Sequence, residues 1–421
     1  MHGVGTRPGI TVAKTAPARL LDLSRLVSRA GRVPTGIDRV EMAYLRALLA
    51  ETVPVFGLVR SAWGYLLLDR QGCQGFLDRS IGLVPWGRAD LLSRLRPGLS
   101  PLRQRAEADL RRVAVARSMP SGLARMLSRH LPRGTVYINV GHTNLTERML
   151  VALEQSLNAR IVVMIHDTIP LDYPQYQRPG TVARFRAMLA RVQAHATLIL
   201  CNSACTQADV IRHMEPRGAV PDMMVAWLGI EDLIADPAVN LPSGFDEYRP
   251  YFITIGTIEP RKNHRFLLDL WTELAADLPQ ERMPQLLICG ARGWNNSDVF
   301  ARLYADPMMG RHVFEMPGLT DGQIAALLQG ARGALFPSHA EGFGLPPVEA
   351  LSLGVPVICN RLEIYTEILR DYPVYANVQD RYLWRQQIER LAYGQNGGQV
   401  TGTGFQPPTW RAHFNDVLSR L

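Results

Sequence analysis

The sequence predicts an α/β protein made of two doubly wound domains, each built on a mainly parallel sheet. The chain of 421 residues is longer than one hydrophobic core usually organises. Its composition, 47% hydrophobic and 20% charged, supplies apolar material for two cores and excludes a disordered chain. Short β-branched segments alternate with helical stretches along the chain, as they do in parallel α/β folds.

Nine short, apolar segments are predicted as strands. They are residues 19–23, 53–59, 135–140, 160–165, 197–201, 251–255, 285–289, 334–336 and 356–359. Between the fifth and the sixth, Pro242, Gly244 and Pro250 interrupt any periodicity, as they would in an interdomain linker. We therefore predict a Rossmann-like domain over residues 1–245, a second over residues 246–408, and a terminal helix over residues 409–421 that packs back on the first.

The net charge of +8 is unevenly distributed along the chain. Residues 1–133 carry 22 basic and 9 acidic side chains (+13), and the remainder carries 24 and 29 (−5). Eleven arginines face three acids in a basic helical insertion over residues 88–133, where Leu102, Ala106, Leu110 and Val113 form one helical stripe. Such a segment is typical of a solvated helix face, of a surface that binds an anionic membrane, or of a nucleic-acid site. We favour the solvated helix face slightly over the membrane-binding surface.

Cysteine usage and the termini indicate the compartment. The five cysteines lack CxxC spacing, which favours buried thiols in a reducing environment over disulfides or a zinc site. The first 20 residues lack the apolar core of a signal peptide, and no apolar run approaches the length of a membrane span. We expect a cytoplasmic protein, with the inner face of the cytoplasmic membrane as a further location.

The strongest chemical signal is the segment SHAEGFGLPPVEALSLGVP at residues 338–356. Glu341 and Glu349 bracket a glycine-containing turn that leads into a helix with prolines in its first turn, an arrangement suited to binding phosphate. Two carboxylates repel an anion, so each is expected to meet hydroxyl groups instead, a ribose on one side and a hexose on the other. The alternative is that Glu341 caps the helix and Glu349 is solvated.

A second signal is the segment YFITIGTIEPRKN at residues 251–263. A predicted strand leads to Gly256 and Thr257, and Arg261 and Lys262 precede a helix. An adjacent arginine and lysine can clamp a diphosphate, although a surface pair is the simpler explanation on spacing alone. What favours a function is composition: 44 of the 46 basic residues are arginine, and Lys262 is the only lysine besides Lys14.

With these motifs in place, the chain from about residue 135 resembles the retaining glycosyltransferases of family 4. The resemblance implies the GT-B architecture, two Rossmann-like domains facing each other across a cleft, with a nucleotide-diphosphate sugar bound to the C-terminal domain. It also implies that Arg261 and Lys262 neutralise the diphosphate, that Glu349 holds ribose hydroxyls and that Glu341 lies near the hexose. The further donor contacts it implies are Gly256, Thr257, the backbone N–H groups of Phe343, Gly344 and Leu345, and Leu319 and Thr320 beside the base.

The N-terminal half shows the resemblance more weakly. His166 and Asp167 open the segment HDTIPLDYP after a predicted strand, and the matching family histidine lies near the reacting sugar. His142 follows the preceding predicted strand in the same way. For both histidines the alternative is a loop side chain bonded to the backbone. Gly36 matches the family's first glycine loop, but the second glycine of that loop is missing here.

The expected function is therefore metal-independent hexosyl transfer with retention, in surface-polysaccharide or lipopolysaccharide assembly. The catalytic candidates are Glu341, His166, Lys262 and Arg261, and the acceptor-side candidates are Gly36, His142 and Asp167. The segment HDTIPLDYP most resembles mannosyltransferases of surface-polysaccharide and lipopolysaccharide assembly, which implies GDP-mannose as the first-choice donor, with UDP-glucose and other donors open. For that pathway the acceptor is a glycan or a polyprenyl-linked glycan. No cofactor is expected, and no metal, because the sequence lacks Asp-x-Asp. The alternatives are a nucleotide-sugar epimerase, a glycan phosphorylase, a non-catalytic scaffold and a nucleic-acid-binding protein.

Overall fold

The computed structural model describes residues 16–96, 98–394 and 404–421, so Lys14 lies outside the described residues. Two sheets are present, as the sequence predicts. The first has eight strands: β1 Arg19–Asp22, β2 Val55–Ser61, β3 Gly64–Leu68, β4 Ala116–Ser118, β5 Val136–Asn139, β6 Arg160–Ile165, β7 Leu198–Cys201 and β8 Asp222–Val225. The second has six: β9 Tyr251–Ile255, β10 Gln285–Cys289, β11 Val313–Met316, β12 Gly333–Phe336, β13 Val357–Cys359 and β14 Val374–Tyr375.

Helices alternate with these strands. Among the first eight strands they are α1 Ser24–Ser28, α2 Gly36–Ala50, α3 Arg70–Ser80, α4 Leu91–Arg94, α5 Pro101–Val113, α6 Leu123–His130, α7 Glu147–Leu157, α8 Ile169–Asp172, α9 Thr181–His195 and α10 Ala204–Met214. Among and after the last six they are α11 His264–Asp277, α12 Ser297–Ala305, α13 Asp321–Gly330, α14 Leu345–Ser352, α15 Glu363–Leu369, α16 Arg381–Tyr393 and α17 Trp410–Arg420. Within the described ranges, no helix has the length and apolar character needed to cross a bilayer.

The strand orders are those of Rossmann-like sheets. The first sheet runs β4-β3-β2-β1-β5-β6-β7-β8, and its β3 and β4 are antiparallel additions at one edge. The second runs β11-β10-β9-β12-β13-β14, and all its pairs are parallel. In both sheets the order reverses beside the first strand, which is the topological switch point where open α/β sheets bind ligands. The predicted fold class, two Rossmann-like α/β domains, is confirmed.

The core beside the second sheet is formed by strands that are apolar on both faces and by the helices that pack against them. All five residues of β9 and of β10 are buried, which explains why these strands were predictable as continuous apolar runs. Helix α11 packs Trp271 against them, and α16 adds Trp384. This packing fixes the carboxyl ends of β9 and β12, from which the two conspicuous sequence motifs emerge.

By backbone contacts the chain divides into two compact units. The described part of the first unit runs up to Ala30 and includes Glu41–Val162 and Phe414–Leu421, and the second unit comprises Gly31–Val40 and the described residues of Val163–His413. The boundary proposed at residue 245 stays a prediction. Helix α17 contributes Phe414, whose ring packs edge-on to Tyr44 at 5.0 Å within the first unit.

The sequence did not predict five strands, namely β3, β4, β8, β11 and β14. Three of them, β4, β8 and β14, are only two to four residues long and contain no fully buried residue, so a strand pattern is hard to recognise in them. The predicted apolar stripe of α5 is half wrong. Ala106 and Leu110 are buried, but Leu102 and Val113 are 37% and 44% exposed, because the buried face of α5 carries charged residues instead.

Candidate functional site

The turn between β12 and α14 depends on one glycine. Gly344 has φ +88°, and a Cβ added to it would lie 2.6 Å from the buried ring of Tyr365. Only glycine meets both conditions. Helix α14 begins at the next residue, with prolines at the start of its first turn, so the free backbone N–H groups at its N-terminus face the end of the turn. The start of α14 therefore has the glycine turn and proline-containing first turn that the sequence predicted, and phosphate binding there stays a prediction.

Glu341 in this turn is held by two cations. Its Oε1 lies 2.6 Å from Lys262 Nζ and accepts a hydrogen bond of 2.7 Å from the Ser338 hydroxyl. Its Oε2 lies 2.9 Å from an Arg261 guanidinium nitrogen. The side chain is 5% exposed, and the N-cap of α14 is Gly344. The alternative that Glu341 caps the helix is therefore wrong.

Arg261 and Lys262 lie in the 3-10 turn Pro260–Lys262 that links β9 to α11. Arg261 also pairs with Glu259 at 2.8 Å and donates to the carbonyl of Ala340 at 2.9 Å. The stem of Lys262 passes against Gly256, where an added Cβ would lie 3.3 Å from Lys262 Cε. The small residue at position 256 therefore leaves room for the lysine.

These contacts set the charge of the cluster. Burial alone would raise the pKa of Glu341, but Lys262 and Arg261 outweigh it and hold this pKa at about 2. Burial lowers the pKa of Lys262, opposed by Glu341, and raises the pKa of Glu259, opposed by Arg261. Glu341 is therefore ionised at neutral pH, and the two adjacent cations are balanced by carboxylates of the same unit.

His166 and Asp167 follow β6 and border the same turn. A Cβ added to Gly342 would lie 2.9 Å from Asp167 Oδ2 and 3.0 Å from the His166 carbonyl oxygen, which accepts a hydrogen bond from the Asn202 amide at 2.9 Å. Burial, reinforced by the charges of Glu341 and Glu259 and opposed by Arg261, raises the pKa of Asp167 to about 6. The carboxyl of Asp167 thus titrates near neutrality beside the cluster.

Glu349 lies one turn along α14 and is buried, so the alternative of a solvated glutamate is also wrong. Its Oε1 forms an ion pair with Arg39 at 2.5 Å. A Cβ added to Gly36 would lie 3.4 Å from Leu345 Cδ1, which places the start of α2 beside the start of α14 within the second unit. The sequence identified Gly36 and Glu349 but not Arg39, which is one arginine among 44.

A cavity of about 300 Å³ lies beside Leu319. Its lining residues are Asn240, Pro242, Glu315, Met316, Pro317, Leu319 and Gln323. Thr320 serves a different purpose, because its hydroxyl accepts from the Gln323 N–H and forms the capping box of α13. The base contact of Leu319 stays a prediction, and the Thr320 side chain is engaged in capping α13.

His142 belongs to the first unit. It lies in the loop after β5 with φ 58°, a conformation that a non-glycine residue adopts rarely. Two residues on, Asn144 donates to the buried carboxyl of Asp22 at 2.8 Å, which fixes the loop. The acceptor-side role of His142 stays a prediction.

The structure therefore brings together Arg261 and Lys262 of one motif, Glu341 of the other, and Asp167, which follows β6. Sequence reasoning missed Ser338, Glu259 and Arg39. Glu259 and Ser338 lie within the two motif segments, close in sequence to Arg261 and Glu341. Their polar side chains could therefore have been predicted as partners of these charged residues. Arg39 gave no signal of its own.

Comparisons with known proteins show which proteins the chain is similar to in sequence. Residues 241–392 match the family model described as Glycosyl transferases group 1. The chain is 28% identical over 271 residues to the serotype-specific mannosyltransferase WbdA of Escherichia coli, covering 61% of this chain and 33% of that protein. It is 30% identical over 226 residues to the O-antigen chain mannosyltransferase B of Escherichia coli, covering 52% of this chain and 58% of that protein. The chain thus spans about a third of the first relative's length and somewhat over half of the second's.

Solved structures show the fold. Anabaena Alr3699/HepE, in complex with UDP and glucose, aligns with a TM-score of 0.60 at 15% identity and covers 96% of this chain and 100% of that one. A structure described as trehalose-6-phosphate from E. coli, bound with UDP-2-fluoro glucose, aligns with a TM-score of 0.57 at 14% identity and covers 96% of both chains. The two Rossmann-like sheets therefore have the GT-B fold.

Proposed function

We propose that this chain, whose residues 241–392 form a Glycosyl transferases group 1 domain, is a retaining hexosyltransferase that uses a nucleotide-diphosphate sugar. The observation that carries the proposal is the contact of Glu341 with Lys262 and Arg261 beside the N-terminus of α14. It joins a sugar-binding carboxylate to the cations and free N–H groups that a diphosphate requires.

Each part of the donor is assigned to a different group of residues in the site. The cavity beside Leu319 would take the base, and Glu349 on α14 the ribose. The start of α14 would take the diphosphate and Glu341 the hexose. Two contacts support this assignment, since Arg39 joins Glu349 to Asp321 at the start of α13 and Lys262 joins Glu341 to the turn after β9.

The leaving diphosphate gains negative charge in the transition state. Arg261, Lys262 and the helix N-terminus would stabilise that charge without a divalent metal. Glu341, fixed by two cations, would orient a hexose hydroxyl and not attack the anomeric carbon, and His166 would assist in orienting. The acceptor hydroxyl would then attack from the face of the leaving group, whose phosphate accepts the proton. This mechanism retains the anomeric configuration.

GDP-mannose is the proposed donor, because the relatives named above are mannosyltransferases. The proposed acceptor is a glycan or a polyprenyl-linked glycan of surface-polysaccharide assembly. A lipid-linked acceptor would bring the chain to an anionic membrane, as a peripheral protein of its inner face. The basic insertion of residues 88–133 supports this association.

Product analysis tests the reaction. With labelled GDP-mannose and an O-antigen-type mannan primer, in buffer containing EDTA, we expect a glycosidic product whose anomeric configuration, read by NMR, matches that of the donor. An inverted product would contradict retention, and a requirement for metal would contradict the charge argument. Conversion of the donor without any acceptor would instead identify an epimerase.

A further inference from the structure

We infer that Arg39 is a positioning residue for Glu349, which orients this carboxylate for the ribose of the donor. The inference rests on the proposed function, since that function assigns Glu349 to a nucleotide sugar. It concerns a residue that neither motif contains and that reaches the site from the start of α2.

The ion pair leaves one oxygen of Glu349 for a ligand. Arg39 approaches Oε1 at 2.5 Å, and the Glu349 side chain is only 6% exposed. Among the described residues, no other side chain pairs with Glu349. Without its partner this buried carboxylate would lose its counter-charge and its fixed direction, which is costly in a site shielded from water.

Arg39 is itself fixed in place. The Asp38 carboxylate accepts from the Thr35 N–H at 2.7 Å, which closes the first turn of α2, and the Arg39 N–H donates to the Thr35 carbonyl at 3.0 Å. The guanidinium Nε lies 3.8 Å from Asp321 at the start of α13. Arg39 therefore bridges α14 and α13, between the carboxylate assigned to the ribose and the helix that follows Leu319.

This bridge would help to align the ribose and the base of a bound nucleotide with the residues assigned to them. A ribose presents two hydroxyls at a fixed separation from its base, so the accepting carboxylate must keep a constant distance to the base cavity. An arginine fork restrains that distance better than a lysine, because its donors are rigid and directional. We therefore expect Arg39 to affect nucleotide affinity through Glu349 and to make no contribution once Glu349 is altered.

A double-mutant cycle tests this, with GDP affinity measured by calorimetry for the wild type, Arg39→Ala, Glu349→Gln and the double variant. We expect Arg39→Ala to weaken GDP binding about tenfold, the lower end of the effect of losing an orienting partner at metal sites. Arg39→Lys should restore binding in part. In the Glu349→Gln background, Arg39→Ala should cause no further loss. Arg302→Ala is the matched control, because Arg302 is also a partly buried, carboxylate-paired arginine but lies away from the site.

The outcomes separate the two proposals. Wild-type protein that binds neither GDP nor UDP would overturn the proposed function, and this inference with it. If the wild type binds but Arg39→Ala binds equally well, or if the two losses simply add, only the positioning role is overturned. Tighter GDP binding by Arg39→Ala would show that Arg39 competes with the ribose, which also contradicts positioning. Should Arg39→Ala not fold, Arg39→Lys and Arg39→Gln form the same cycle.

Discussion

Lys262 shows how a single residue choice marks the site. In a chain where 44 of the 46 basic residues are arginine, the stem of Lys262 passes against Gly256 and places a compact ammonium 2.6 Å from Glu341. A guanidinium is broader and needs several acceptors in a plane. The small space beside Gly256 therefore explains why the chain uses lysine here, and composition made this residue the most predictable member of the cluster.

We expect Lys262→Ala and Glu341→Ala each to abolish transfer, a loss of at least about a hundredfold, because each removes a group aimed at the donor. The fold should survive, since Arg261 keeps Glu259 as its partner in both variants. Initial rates and circular dichroism measure the two effects, with Arg302→Ala as a fully active control. Wild-type turnover by either variant would disprove the assignment.

Asp167 should make stability depend on pH. Its pKa is about 6 in the folded protein and 3.8 in the absence of the fold, so its ionisation opposes folding fully above pH 6. That penalty shrinks as pH falls from 6 and vanishes below 3.8. We expect Asp167→Asn to be more stable than the wild type at pH 7.5 by about 1–2 kcal/mol. Denaturant titrations should show the gap closing towards pH 4; a gap that does not change with pH would contradict the raised pKa.

At the scale of elements, the turn before α14 depends on Gly344. We expect Gly344→Ala to lower the free energy of unfolding by at least about 2 kcal/mol, because the new Cβ adds a clash with Tyr365 to the strain of a positive φ. Gly310→Ala is the matched control, since Gly310 has φ +74° but nothing within 4 Å of an added Cβ, and should cost about 1 kcal/mol. Equal costs would show that the Tyr365 contact is unimportant.

The elements that the sequence predicted are those whose signal is local. β9, β10 and the start of α14 are marked by apolar runs, glycine and proline within a few residues. The pairing of Lys262 with Glu341 spans 79 residues, and that of Arg39 with Glu349 joins separate helices, so neither contact follows from local pattern. The resemblance assigned Lys262 and Glu341 to one donor site without predicting their contact, and it did not point to Arg39.

At the scale of the whole molecule, the charged side chains of the basic insertion differ in whether they form ion pairs. Its three acids, Asp90, Glu107 and Asp109, are each engaged in ion pairs with arginines. Within the described part of residues 88–133, eight exposed arginines have no acidic partner. They are Arg88, Arg94, Arg96, Arg105, Arg117, Arg125, Arg129 and Arg133.

Large apolar side chains accompany these arginines. Leu91, Leu95 and Met119 are 77%, 68% and 64% exposed. The Trp63 indole donates to the Leu92 carbonyl at 2.9 Å, and a Cβ on the neighbouring Gly64 would lie 3.2 Å from Met119 Cα, so the insertion and the β2–β3 turn share one surface. Exposed leucines beside unpaired arginines favour an anionic membrane over nucleic acid, because base and phosphate contacts do not require aliphatic side chains.

We expect the protein to bind vesicles containing phosphatidylglycerol at low salt and to dissociate as salt is raised. The variant Arg94→Ser/Arg96→Ser should bind roughly 30-fold more weakly, since each of the two cations contributes about 1 kcal/mol at such a surface. Arg184→Ser/Arg186→Ser, with the same charge change on α9, serves as the control. Absence of vesicle binding at low salt, or equal loss in both variants, would contradict a membrane role for the insertion.

The central claim is that the Glu341 cluster binds a nucleotide-diphosphate sugar, and thermal unfolding with GDP-mannose, UDP-glucose and a dTDP-sugar tests it most directly. At about 100 times its dissociation constant a bound donor stabilises by about 2.7 kcal/mol. We predict the largest upward shift in Tm with GDP-mannose, and none for Lys262→Ala. No shift with any of the three, or an equal shift for Lys262→Ala, would contradict the claim.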